Sequence, residues 1–146
     1  MRVIPFHRWR VYCFVDADGN NVIRSGMDRE GVPEVDRWAL QSRIKLLEQS
    51  EPACLPGFVV PVAADFYMLA LSQTGRPPMT PVCCYGPFGE SDVLELTLLT
   101  WAPIEQGRLQ AQDVLRVAQD NFEILLRQGR SRRVYEPVAG RIPRRV

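Results

Sequence analysis

Between residues 127 and 146 the chain carries seven arginines, Arg127, Arg130, Arg132, Arg133, Arg141, Arg144 and Arg145, against a single acid, Glu136. Residues 1–126 carry 11 Lys+Arg against 16 Asp+Glu, so a mildly acidic body ends in a basic segment. A guanidinium donates two parallel hydrogen bonds from a planar fork, which suits phosphate. Charge segregated in this way points to an anionic partner, and it serves equally well as a solvated terminus. The other side chains able to do chemistry are sparse. His7 is the only histidine, and the four cysteines are Cys13, Cys54, Cys83 and Cys84, with no C-x-x-C spacing. Neighbours on a strand point to opposite faces, so Cys83 and Cys84 cannot both join one metal site. Tetrahedral zinc needs four such ligands in paired spacings, which are lacking, so no metal and no cofactor is expected. No local motif supports a Cys–His nucleophile pair with His7. Asp16 and Asp18 fall in Asp16-Ala-Asp-Gly-Asn20, where turn chemistry explains them better than acid–base work.

The frame that positions these residues is one domain long, at 146 residues. With 46% hydrophobic and 24% charged residues, the composition excludes a disordered chain, a collagen-like repeat and a coiled-coil rod. No apolar run approaches the roughly 18–20 residues of a membrane span. Met1–Arg10 lacks the apolar core of a secretory signal. The reading is a soluble, cytoplasmic protein that does not engage a membrane, divided into a folded domain over residues 1–129 and an Arg-rich tail over 130–146.

Trp9–Val15 alternates as a strand, with Trp9, Val11, Cys13 and Val15 on one face and Arg10, Tyr12 and Phe14 on the other. Asn21–Ser25 reads as a short extended piece. Pro33 suits the first turn of a helix reaching about Gln49. Its two apolar rows, Val35/Ala39/Leu46 and Leu40/Ile44/Leu47, imply packing on more than one side. Ala53–Ala64 reads as an irregular connection. Three strands then follow in succession: Phe66–Leu71, Pro81–Phe88 with Pro81 limited to its start or an edge, and Val93–Trp101. Gly89–Asp92 is a hairpin-length turn between the last two. On Val93–Trp101, Leu94, Leu96 and Leu98 share one face and Glu95 and Thr97 the other. The apolar Pro81–Phe88 segment could offer an edge to a second chain. From Gln110 a strongly amphipathic helix runs to about Arg127, with Gly129 suited to its C-cap. The fold class is therefore α+β: a mainly antiparallel sheet, built from an N-terminal strand and a three-strand meander, packed with helices.

Trp9-Arg-Val-Tyr-Cys-Phe-Val-Asp16, Arg43-Ile-Lys-Leu-Leu47, Phe66-Tyr-Met-Leu-Ala70 and Leu96-Thr-Leu-Leu-Thr-Trp101, followed by a helix with an internal Ala118, occur in the order of a known pattern. Over about Trp9 to Arg130 the chain resembles the RelE/HigB/ParE-like toxin superfamily, in particular its phage-derived HigB-like branch. The resemblance implies a RelE-like domain and a toxin of a toxin–antitoxin system. It implies a metal-independent endoribonuclease that cuts mRNA on the ribosome, with a cognate antitoxin as partner.

Cutting RNA through its own 2′-OH needs a proton acceptor, cations for the phosphate and a donor for the leaving oxygen. The family places basic residues on the meander strands and near the last helix. Here Ala70, Thr80-Pro81 and Ala102-Pro-Ile-Glu105 stand in their places, and each replacement removes positive charge. The candidates that remain for catalysis are Arg76 in the Gly75-Arg-Pro-Pro78 loop, Tyr85 on the second meander strand and Arg108 before the last helix. Arg130, Arg132, Arg133 and Tyr135 are candidates for nucleic-acid contact. Two further readings stand beside the toxin reading: a binding module on the same fold that holds nucleic acid or a partner protein without cutting, which suits the lost charge, and a phage accessory protein that uses its sheet for assembly.

Overall fold

A computed structural model describes residues 8–49, 57–71, 79–86, 93–105, 108–109, 112–127 and 132–134. The elements run β1 (Arg8–Phe14), α1 (Val22–Arg29), α2 (Glu34–Glu48), β2 (Val59–Ala63), β3 (Phe66–Leu69), β4 (Met79–Tyr85), β5 (Val93–Glu105), β6 (Arg108–Leu109), α3 (Gln112–Arg127) and β7 (Arg132–Val134). The strands assemble in the order β2-β3-β4-β5-β1-β7, with β6 folded back on the end of β5. The architecture is α+β and the sheet is mixed. The β3–β4–β5 run is an antiparallel meander that β2 extends by one strand. β1 lies on the other side of β5 and runs parallel to it, with Val11 opposite Leu96 and Cys13 opposite Leu98.

Helices cover both faces. Trp9, Val11 and Cys13 of β1 share a core with Ile23 and Met27 of α1 and with Leu40, Ile44 and Leu47 of α2. Phe14, one residue out of phase, joins Val114, Ala118 and Leu125 of α3 in a second core. The period of two along a strand makes this division. It also sends Cys83 to the first core and Cys84 to the second. A bulge interrupts the pattern on β5: Val82 pairs with Thr100 but Cys83 pairs with Leu98, leaving Leu99 as the extra residue. Leu98 and Trp101, three apart, consequently enter the same core.

Several expectations from sequence are corrected. The segment expected to be extended at Asn21–Ser25 is instead the start of α1, because the Asn21 side chain caps it, accepting from the backbone N–H of Ile23 at 3.0 Å and of Arg24 at 3.2 Å. Within the supposedly irregular Ala53–Ala64 connection lies strand β2, whose Pro61 is tolerated because β2 is the outermost strand. Pro81 is neither at a strand start nor on an edge. It is the third residue of β4, which β3 and β5 flank. In the β3–β4 register Leu69 falls beside Pro81, which has no N–H to give, and the Thr80 hydroxyl donates to the Leu69 carbonyl in its place. The same flanking leaves Val82 and Cys83 no free edge for a second chain, while residues 87–88 of the expected edge lie outside the described residues. Only one apolar row of α2 is buried, since Val35 is 58% and Leu46 51% exposed; the helix rests on a single sheet face. The strand expected to end at Trp101 continues to Glu105 and turns back as β6. Glu95 and Thr97 do share a face, and both are buried, with the Thr97 hydroxyl donating to the Gly86 carbonyl at 2.6 Å. The proposed Gly89–Asp92 turn and Gly129 cap lie outside the described residues.

Candidate functional site

Strand pairing decides which of the sequence-derived candidates are neighbours. Tyr85 closes β4 opposite Leu96, and Arg108 sits opposite Glu105. Nine steps along β5 separate those two registers, one of them the bulge at Leu99, which leaves about 26 Å at the usual ~3.3 Å rise per residue. Tyr85 and Arg108 therefore do not meet in one site. Arg132 and Arg133 belong to β7, where they pair with Phe14 and Cys13 at the opposite side of the sheet from β2. From β4 to β7 are three strand spacings, about 14 Å of backbone. Part of the expected Arg-rich tail is thus built into the sheet. Arg76, Arg130 and Tyr135 lie outside the described residues.

Around Tyr85 the structure assembles an aromatic group. Its ring centroid is 4.7 Å from Tyr67, edge-on, and 5.5 Å from Trp9, tilted. The register explains this: Cys83 of β4 faces Tyr67 of β3, and Trp9 of β1 lies beside Leu94 of β5, two residues from the partner of Tyr85. The Cys83 thiol donates to the Tyr67 carbonyl at 3.5 Å. Tyr67 and Tyr85 are both half-buried against the first core. Burial, followed by the neighbouring Tyr67 and Cys83, pushes the Tyr85 phenol up to about 12. No cation acts on it among these causes. A phenol in this setting stays protonated at neutral pH: it can donate a hydrogen bond and offer a ring face, but it cannot accept a proton from a ribose hydroxyl.

Two features of this face were not singled out in the sequence. The Arg43 guanidinium of α2 lies over the Phe58 ring, 5.2 Å from its centroid. The Trp9 indole N–H is buried with no hydrogen-bond partner among the described residues. Arg43 opens the helical motif Arg43-Ile-Lys-Leu-Leu47, whose pattern is set by its apolar members. Tyr67 lies on the strand expected at Phe66–Leu71, and only the cross-strand register shows that it meets Tyr85. The three described thiols, Cys13, Cys83 and Cys84, are buried and unbridged. Burial holds the Cys83 thiol far above its ordinary range, so it does not act as a nucleophile at neutral pH. Among the described residues no group of three or more His, Cys, Asp or Glu side chains is placed to hold a metal ion. No described helix is long and apolar enough to cross a membrane.

Comparison of the chain with protein-family models, with curated proteins and with solved structures finds no match.

Proposed function

We propose that this chain is a RelE-like module that binds nucleic acid without cutting it. Phosphates are contacted along β7, an outermost strand, by Arg132 and Arg133, neighbours that alternate between the two sheet faces at this edge, together with the nearby arginines of the C-terminal segment, and exposed bases stack against the Tyr67–Tyr85 rings. The observation that carries this reading is the separation of the candidates: Tyr85 and Arg108 stand nine β5 residues apart in register. A strand-cleaving centre needs its proton acceptor and phosphate cations within hydrogen-bond reach of one phosphodiester. Binding needs only charge and reach, which β7 supplies from its place beside β1.

The test is RNA binding by the full-length chain and by a double Arg132→Ala, Arg133→Ala variant over a range of salt. Loss of two contacts to single-stranded RNA should reduce the log–log salt slope by about 1.4. An unchanged slope would remove β7 from the interface. The toxin reading, with its ribosome-dependent mRNA cleavage, cognate antitoxin and cytoplasmic setting, predicts growth arrest on expression in bacteria and shortened mRNA with purified ribosomes. Observation of cleavage would overturn the non-cutting proposal.

A further inference from the structure

β1 ends before β5 does. Its last partner on β5 is Leu98, and β5 continues to Glu105. Beside that unaccompanied stretch the chain places α1, whose Gly26 packs on Trp101, while α3 covers the adjoining sheet face. The two helices and β5 leave between them a cleft of about 480 Å³, with Thr100 and Trp101 among its lining. One wall is the α1 face formed by Val22, Ser25 and Arg29, spaced three and four apart. The other is the α3 face formed by Asp113, Val117 and Asn121, spaced four apart. The volume falls within the range of small-molecule sites, about 300–1,000 Å³.

The lining combines an apolar body with unbalanced charge. Val117 is 42% exposed and lines the cleft beside Val114. Trp101 is almost wholly buried, and its indole N–H has no partner among the described residues. Two carboxylates, Asp16 and Asp113, line the same cleft, with Arg29 as the one cation among its described lining residues. Arg29 is largely exposed and stands beside Glu30, its Nε 3.7 Å from Glu30 Oε1, so the two carboxylates outnumber it. Asp16 is held in place because its Oδ1 accepts the N–H of Asp18 at 3.0 Å and of Asn20 at 2.9 Å. Fixed carboxylate charge next to an apolar surface favours a ligand with a positive head and a hydrocarbon body over an anion or a sugar-like neutral.

We propose that the cleft between α1 and α3 is a binding site for a small organic ammonium ion with an apolar body, its charge met by Asp16 and Asp113 and its body by Val114, Val117 and Trp101. Titration calorimetry of the full-length chain with phenethylammonium chloride tests this, with sodium phenylacetate as the anionic counterpart of the same size. The amine is expected to bind in the millimolar range and the acid not to bind. Asp113→Asn is exposed and should keep the fold; it should weaken the amine about fivefold, the worth of one partly exposed ion pair. Val117→Trp fills the cleft from an exposed helix position and should abolish binding with the far-ultraviolet dichroism unchanged. The proposal is overturned if the amine does not bind, if phenylacetate binds as well, or if either folded variant keeps the parent affinity.

Discussion

Gly26 and Trp101 approach so closely that a β-carbon built on Gly26 would lie 2.8 Å from Trp101 Cβ and 3.2 Å from its Cγ and Cδ1. The glycine lets α1 lie against the end of β5, and this contact sets one wall of the cleft. The atom met is a β-carbon fixed to the backbone, so no side-chain rotation relieves the clash. Gly26→Ala is therefore expected to lose about 1–3 kcal/mol in urea unfolding, despite the better helix propensity of alanine. Unchanged or increased stability would show that α1 can slide on β5.

Asn121 anchors α3 to the β5 bulge: its Nδ2 donates to the carbonyl of Leu99, the extra residue, at 2.8 Å. Asn121→Ala should cost about 1 kcal/mol, the usual net worth of such a bond. Asn121→Asp should cost more, because a carboxylate then faces a carbonyl oxygen. Equal stabilities for the two variants in urea would exclude this anchoring role.

Glu48 gives a pH dependence whose sign is fixed by its surroundings. Burial raises its pKa, outweighing the opposing pull of the Val11 backbone N–H and the Arg10 charge. The folded state thus holds the proton more tightly than the unfolded chain does. The resulting stability is complete below the ordinary glutamate pKa and fades as pH rises through the folded value. Glu48→Gln keeps an acceptor for Val11 and carries no charge. Its melting temperature should exceed that of the parent near neutral pH, and the advantage should vanish below the carboxylate range.

Tyr85 should ionise only in strong alkali. With its folded pKa raised to about 12 from 10.0, the folded state again binds the proton more tightly. Its contribution to stability is present below the unfolded value and is lost as pH rises through the folded one. Phenolate absorbance followed into alkali should show a late component that Tyr85→Phe removes. If that component survives the substitution, it does not belong to Tyr85, and the rise assigned to burial of this phenol is wrong.

The local elements were largely legible from the residues. The alternation from Trp9 to Val15, the 3.6-residue spacing in the last helix and the adjacency of Cys83 and Cys84 each specify a face by period alone. Helix α1 was missed although its cap was in plain sight. Asn21 heads the piece expected to be extended, directly after a run of turn residues, and Gly26 weakens a short apolar pattern that only its seat on Trp101 makes favourable. β2 was missed because Pro61 argues against a strand unless the strand is known to be an edge.

Sequence by itself determined the α+β content, the two-faced β1 and the segregation of arginine toward the C-terminus, because these depend on residue type and on spacing within a few residues. Tertiary structure alone decided that β1 runs parallel beside β5, that Tyr85 meets Tyr67 and Trp9, that Arg108 stands far from Tyr85, and that β1 stops short to open a cleft. Those relationships join residues distant in the chain, and their register is set by the burial of whole faces and by one extra residue at Leu99. Neither is encoded in any local period.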